Sequence, residues 1–381
     1  MKPKERIITA LNLQKPDEVP ISLSIGPTNA KRWFGKSDWR SVFKAHQEIG
    51  SIPEYGFPWY ATTESNPIFE PDWDSGWNEE VHVEKFTDEG EEYTIKTRTI
   101  TTPKGKLTSQ ERIDYEEYVM GQTHEPLIKV QEDYELYMAY IEEWLRVVER
   151  QELPEQIAAM HEEIGDQGIW VTWRTHTFYS FFWVLKRVSD YLMDFYDNPD
   201  LMERVLDTAG KVNDKFLAYF NDSPSEIFII NLSGASTSVI SPDFFQEWVF
   251  PELARMSRNI NPDKYLGFHL TGKMRDILPI MMKAEPDLIL RFESPRFGGD
   301  ISLREAKELY GDKVCIMGGY DPHIFVDHSL DEMISEAKRC IDEAAEGGGY
   351  ILANTDAIPE EARLEDIKEV VQFAKEYGRY R

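Results

Sequence analysis

Cysteine is scarce in this chain of 381 residues, which contains only Cys315 and Cys340. Two cysteines are too few for a disulfide framework, and both lie in predicted core elements, so we expect small buried apolar side chains. No apolar run is long enough to cross a membrane, and the charged start Met1–Arg6 leads into an amphipathic helix rather than a secretory signal. These absences predict a reducing, cytoplasmic location.

Positive charge is the second shortage. The chain has 42 lysines and arginines against 69 aspartates and glutamates, and its formal net charge is -27. Such a surface repels phosphate backbones and anionic lipid, which excludes nucleic acid and membranes as expected partners. The acidic residues are spread along the chain, so we interpret them mainly as solvated surface, with a basic protein partner as the alternative.

Several catalytic motifs are missing. The sequence has no phosphate-binding glycine loop, no GxSxG nucleophile turn, no HExxH metal motif and no CxxC pair. The run Gly347–Gly349 precedes a predicted strand, which is the wrong context for a phosphate loop. The chemistry is therefore expected to depend on residues that are distant in the sequence.

The last third of the chain carries the clearest pattern. Four short apolar runs there alternate with helical stretches, and each run ends in polar or glycine residues; they cover 265–272, 287–294, 314–321 and 348–356. Continuous apolar runs of this kind are typical of parallel strands buried on both faces. Earlier candidate strands cover 19–25, 55–60, 168–174 and 227–233. A count of about eight predicts an α/β fold, a (β/α)8 TIM barrel.

The stretch from about 62 to 122 interrupts this alternation. Residues 81–86, 92–100 and 106–112 alternate polar and apolar side chains, and Thr102–Gly105 forms a turn between two of them. We predict an antiparallel hairpin region inserted into a single barrel domain that spans 1–381.

In a TIM barrel, the residues that follow the strands form the catalytic rim. Those residues here are His269, Glu293, Tyr320, Asp321 and Asp356. His269, Glu293, Asp321 and Tyr320 are our candidate catalytic residues, since an imidazole and carboxylates suit acid–base chemistry or a hard metal ion. Alternatively, His269 is bonded within the rim, Asp321 and Asp356 cap turns, and Glu293 pairs with Arg291 or Arg296.

Candidate substrate-binding residues come from the same reasoning. Arg174 ends the run at 168–174 and His176 follows it, Arg296 follows Glu293, and Trp59 is one of ten tryptophans. Loop tryptophans predict an aromatic or apolar ligand pocket, although each of them could instead cap an edge of the core.

Five segments together resemble the uroporphyrinogen decarboxylase superfamily: KPKERIITALNLQKPDEVP, ISPDFFQEWVFPEL, GFHLTGK, IMGGYDP and GGGYILANTDAIP. The resemblance covers most of the chain and implies an (α/β)8 barrel. The branch that decarboxylates uroporphyrinogen has an arginine-rich RxxGR element. The corresponding stretch here, Ser24–Asn29, has no arginine, so we do not expect that activity.

The other branch contains corrinoid-dependent methyltransferases, many of which bind zinc through HxC and a later cysteine. Here the HxC element ends in Thr271, and Asp356 stands at the later position. Because thiolate-rich zinc suits a thiol acceptor, we do not expect methylation of coenzyme M. Zinc held by His269, Asp356 and Glu293 stays a hypothesis.

The resemblance implies an enzyme that moves a methyl group from a small donor, such as an aryl methyl ether, to a corrinoid protein. One alternative is a decarboxylase or lyase that anchors a small acid on Arg174 and Arg296. A non-catalytic ligand-binding relative is the other, since both thiolates are absent.

Overall fold

The computed structural model describes residues 1–57, 69–88, 91–113, 122–150, 155–181 and 185–380. The chain forms two compact units. The first contains Met1–Phe57, Gln156–Trp173 and Phe220–Arg381, and the second contains Pro58–Glu155 and Arg174–Tyr219.

The strands are β1 Glu54–Phe57, β2 Phe69–Pro71, β3 Asn78–Asp88, β4 Glu91–Thr102, β5 Gly105–Ile113, β6 Gln122–Glu125, β7 Val148–Arg150, β8 Ile169–Thr175, β9 Ile227–Asn231, β10 Tyr265–His269, β11 Leu288–Phe292, β12 Cys315–Tyr320 and β13 Tyr350–Asn354. The α-helices are α1 Pro3–Leu11, α2 Pro27–Phe34, α3 Trp39–Ile49, α4 Glu132–Val147, α5 Glu155–Ile164, α6 Thr177–Ser180, α7 Val188–Asp197, α8 Pro199–Asp222, α9 Pro242–Phe244, α10 Phe250–Asn259, α11 Leu278–Met281, α12 Leu303–Tyr310, α13 Ile324–Asp327, α14 Leu330–Ala344 and α15 Leu364–Tyr377.

The first unit is built on a curled parallel sheet of seven strands in the order β1-β8-β9-β10-β11-β12-β13. All four strands predicted in the last third are confirmed. The predicted first strand, 19–25, is reduced to an isolated bridge between Ile21 and Leu352. Its backbone nevertheless bonds to both edges of the sheet: Ser22 N donates to Leu352 O at 2.9 Å, and Ile52 N donates to Ile21 O at 2.7 Å.

Aliphatic side chains fill the inside of this sheet, and they are contributed by alternate positions of neighbouring strands. The fully buried members include Ile229, Leu290 and Ile351. Helix α1 adds Ile7, Ala10 and Leu11 to the same cluster. Because β-strand side chains alternate between faces, this filling leaves the residues at the strand ends to form the site.

The second unit contains the predicted hairpins. Strands β3, β4, β5 and β6 form an antiparallel sheet in that order, and β2 pairs with β7 in a second small sheet. The turn Thr102–Gly105 is confirmed, since Thr102 Oγ1 accepts a hydrogen bond from Gly105 N at 3.1 Å. Helices α4, α6 and α7 and most of α8 complete the unit.

None of the described helices is long and apolar enough to span a bilayer.

Candidate functional site

The central residue of the candidate site is His269, the last residue of β10. Its Nδ1 is buried and has no hydrogen-bond partner among the residues that the structure describes. Burial, with a smaller effect from the charge of Arg291, lowers the pKa of His269 to about 3. The ring of Trp173 meets the imidazole edge to face, with centroids 5.5 Å apart. His269 is therefore a neutral imidazole near pH 7.

Glu293 follows β11 and is only 7% exposed. Its Oε2 accepts a hydrogen bond from the backbone N–H of Gly272 at 2.6 Å, which ties the carboxyl group to the loop that follows His269. Gly272 has a φ of +85°, and a Cβ there would lie 2.8 Å from Ser236 Oγ, so this close turn requires glycine.

Two effects raise the pKa of Glu293: burial is the larger, and the nearby charge of Asp356 adds to it. Asp356 itself is exposed and follows β13. Asn354 fixes that turn, because its Oδ1 accepts from Ser24 N at 2.7 Å while its Nδ2 donates to Asp356 O. Glu293 and Asp356 form a pair of carboxyl groups in which the buried member holds its proton to a higher pH than usual.

Arg291, predicted as a possible partner of Glu293, bonds to Glu54 and Asn354 instead. It has a φ of +54°, which is rare for a residue with a Cβ, and the pairing of β11 with β12 shifts register between Ile289 and Phe292. The buried Arg291 guanidinium donates to Glu54 Oε1 at 3.2 Å and to Asn354 O at 3.3 Å. Strict alternation would place Arg291 on the opposite face from Leu290, so the irregularity explains how it reaches these inward partners.

The other candidate catalytic residues do not join this group by any recorded contact. The Tyr320 hydroxyl donates to Met333 O at 3.1 Å and its ring stacks on Phe325, so burial raises the pKa of Tyr320 well above its usual value. Asp321 Oδ1 accepts a hydrogen bond from His323 N at 3.0 Å. Asp321 therefore caps a turn, which is the alternative role predicted for it from the sequence.

Arg296 lies 3.8 Å from Asp321 and 3.5 Å from Glu336. It therefore belongs with Asp321 in a separate cluster of charges and is not the partner of Glu293. The carboxyl group of Glu293 is held by the Gly272 backbone instead.

Two predicted substrate-binding residues belong to the second unit. Arg174 Nε donates to Asn213 Oδ1 at 3.2 Å, and its guanidinium lies 3.7 Å from the centroid of the Phe216 ring. His176 Nδ1 accepts from Phe178 N at 3.1 Å and caps α6. Trp59 lies outside the described residues.

The residues present do not fit a zinc site. The unused Nδ1 of His269 would suit one ligand, but Thr271 and Asp356 supply no thiolate, and the positive charge of Arg291 acts on the same imidazole. No group of three His, Cys, Asp or Glu side chains is placed to hold a metal ion within the described ranges. The three-ligand set of His269, Glu293 and Asp356 is therefore not assembled.

The fold defines an α/β protein with a curled parallel sheet of seven strands, and the ends of these strands carry the candidate site. A family model described as uroporphyrinogen decarboxylase (URO-D) matches residues 183–377, just over half of the chain. The chain belongs to this family, and the resemblance predicted from the sequence is confirmed.

Similar proteins point to one branch of that family. The chain is 29% identical over 179 residues to a methylcobamide:CoM methyltransferase MtaA of Methanosarcina barkeri, covering 47% of this chain and 50% of the relative. A second such protein, from M. barkeri strain Fusaro, is 26% identical over 180 residues, with the same coverage. The chain thus spans about half the length of the curated relatives it matches.

A solved structure described as a methyltransferase from Methanosarcina mazei has the same fold over nearly the whole length. Its TM-score is 0.64 at 16% identity, and the match covers 99% of both chains. This likeness establishes the fold.

Proposed function

We propose that this protein is a corrinoid-dependent methyltransferase of the demethylating kind. It would take a methyl group from a small donor, with an aryl methyl ether as the favoured class, and pass it to a corrinoid protein. Family membership and the methyltransferase relatives support the reaction class. The observation that carries the proposal is the buried carboxyl group of Glu293, which has a raised pKa and is bonded to Gly272 in the loop that follows His269.

We further infer that residues 19–25 take the place of an eighth strand. Their backbone bonds to Leu352 on one side and Ile52 on the other support a closed (β/α)8 barrel. Closure brings the ends of β10, β11 and β13 to one rim, where a TIM-barrel enzyme places its chemistry.

The reaction requires a proton. When the reduced cobalt of the corrinoid attacks the methyl carbon of an ether, the carbon–oxygen bond breaks and both of its electrons stay on the leaving oxygen. A carboxyl group that stays protonated to a higher pH can give its proton to that oxygen as it leaves. Glu293 is the proposed donor, and we assign its reprotonation to solvent near the exposed Asp356, whose charge acts on it.

His269 has a different proposed role. Burial lowers the pKa of His269 to about 3, so its imidazolium form is rare near neutral pH and we assign the acid role to Glu293 instead. We propose instead that the imidazole and the adjacent Trp173 ring orient the donor by aromatic contact.

The decarboxylase alternative is less well supported. It anchors a carboxylate on Arg174 and Arg296, but the first is engaged by Asn213 and Phe216, and the second by Asp321 and Glu336. Carbon dioxide release from a panel of small acids would favour that alternative.

The test is to mix the protein with a reduced corrinoid protein and candidate methyl donors, and to follow the absorbance of methylcobalt. Formation with methyl ethers supports the proposal. Absence of the signal with ethers, amines and thioethers alike, using a corrinoid protein that a known methyltransferase can methylate, would refute it. A Tyr320→Phe variant should give the same methylcobalt signal as the wild type, because the Tyr320 hydroxyl donates to the backbone of α14.

A further inference from the structure

Strand β3 forms an edge of the antiparallel sheet in the second unit. It pairs with β4 over all of its length, from Asn78 opposite Thr101 to Asp88 opposite Glu91. The strand order β3-β4-β5-β6 leaves its other side without a neighbouring strand in the part of the chain that the structure describes. Every residue from 81 to 87 is exposed. An edge of this length offers backbone N–H and C=O groups to another strand.

The exposed side chains on β3 are not purely charged. Val81 is 40% exposed, Val83 is 57% exposed and Phe86 is 40% exposed. Phe86 stacks on Tyr93 of β4 with ring centroids 5.5 Å apart, and this contact leaves part of the Phe86 ring exposed. Exposed valines and an aromatic ring on an open edge are a feature that monomers usually avoid.

We propose that β3 is a homodimer interface, in which the β3 edges of two copies pair antiparallel about a two-fold axis at Val83. Such an axis is perpendicular to the sheet and maps each face onto itself. Residues opposite each other therefore point to the same side, and their numbers add to an even total.

The charges and the length of paired strand together select one register among these. With the axis at Val83, His82 of each copy faces Glu84 of the other, and the two Val83 side chains meet. With the axis at His82, Glu80 would face Glu84, and with the axis at Glu84, two glutamates would meet directly. Like charges directly opposite are destabilising in sheets, which disfavours the His82 and Glu84 registers. An axis at Val81 also opposes Glu80 to His82, but it pairs only residues 78–84, whereas the axis at Val83 pairs the whole strand from Asn78 to Asp88. Within one strand, Glu84 already lies 3.4 Å from His82, so pairing would create a four-residue ladder of His and Glu.

The contact is small, because one pair of strands buries less area than a standard stable interface. The dimer is therefore expected to form as protein concentration rises. It uses only the second unit and is independent of the proposed methyl transfer.

The first experiment is sedimentation of the full chain over a range of concentrations, with Val83→Asp compared to Val130→Asp. Val130 is 54% exposed and lies outside the sheet, so it is a matched control. We expect the wild type and Val130→Asp to shift toward dimer, while Val83→Asp stays monomeric because two carboxylates would meet on the axis. A dimer that survives Val83→Asp would place the interface elsewhere and overturn the proposal.

The second experiment tests the register by oxidation. Opposed residues in an antiparallel pair have Cα atoms about 4.5–5.5 Å apart, which is within disulfide range. The native cysteines Cys315 and Cys340 are both buried. We expect Val83→Cys to cross-link into a dimer at least about tenfold faster than Val130→Cys, given this favourable geometry. Equal rates for the two variants would contradict the β3 pairing.

Discussion

The guanidinium of Arg291 and the carboxylate of Glu54 lie 3.2 Å apart, with side-chain exposures of 10% and 12%. They join β11 to β1, strands that are far apart in the sheet order. Glu54 also accepts a long hydrogen bond of 3.5 Å from Ser22 Oγ, so the pair connects β11 to the segment proposed as the eighth strand. This buried ion pair lies among aliphatic side chains, where an unpartnered charge is costly.

Replacing one member of this pair is therefore expected to destabilise the fold. Arg291→Met should lower the free energy of unfolding by about 3–5 kcal/mol, because Glu54 would be left buried without its cation. The double variant Glu54→Gln with Arg291→Met should lose less than the sum of the two single variants. Urea unfolding of all four proteins measures the coupling. Additive losses would show that the two side chains do not stabilise one another.

A second prediction concerns acid stability. Burial, with a smaller effect from the charge of Arg291, lowers the pKa of His46 to about 3 from the ordinary 6.5. Between these values the unfolded chain binds a proton that the folded chain does not. Stability is thus complete above pH 6.5 and falls as the pH drops toward 3, by up to about 1.4 kcal/mol per pH unit.

His46→Gln should make this pH dependence shallower by about one proton, whatever it does to stability at neutral pH. Urea midpoints at about pH 4.5 and about pH 7 give the slope. The exposed His124→Gln is the matched control for the substitution. An unaltered slope in His46→Gln would mean that this imidazole is protonated in the folded state.

Metal binding gives a third prediction. If missing thiolates are what make the site unfit for zinc, then supplying them should create one. We expect the wild type to bind zinc weakly, and Thr271→Cys with Asp356→Cys to bind about one equivalent through His269 and two thiolates. Competition with a chromogenic chelator and metal analysis after dialysis measure this directly. Adding His269→Ala to the double variant should abolish its zinc binding. Stoichiometric zinc in the wild type would contradict the conclusion that its own residues do not fit a zinc site.

Tyr320 provides a fourth prediction that separates packing from catalysis. Tyr320→Phe removes the hydrogen bond to Met333 O and should cost about 1 kcal/mol of stability. The rate of methyl transfer should not change, because the hydroxyl contacts the backbone of α14. Thermal unfolding measures the loss of stability, and the methylcobalt assay measures the rate. A large loss of rate in a stable variant would show that Tyr320 takes part in the reaction.

Much of this architecture could be predicted because strands are recognised from neighbouring residues in the sequence. The runs in the last third are apolar throughout and end in turn residues, and this pattern identifies buried parallel strands without knowledge of tertiary contacts. The run at 19–25 failed to form a regular strand. Its proline, Pro20, cannot donate to a neighbouring strand, and only one bridge, at Ile21, is recorded there.

The site was harder to predict than the fold. His269 and Glu293 could be named because each ends a strand or follows one directly. Glu54 could not, because it begins its strand and carries no motif, and its importance appears only through the irregularity at Arg291. Tyr320 was assigned to the rim from its position alone, and the direction of its side chain depends on the glycines before it, Gly318 and Gly319, which both have positive φ.

The measurement closest to the central claim is the single-turnover rate of methyl transfer from a series of aryl methyl ethers whose phenols differ in acidity, for the wild type and Glu293→Gln. If Glu293 supplies the proton, the variant should lose most with the least acidic phenols, by roughly 10²–10⁴-fold, and little with the most acidic ones. Equal rates for the two proteins across the series, or one constant loss for every ether, would contradict proton donation by Glu293.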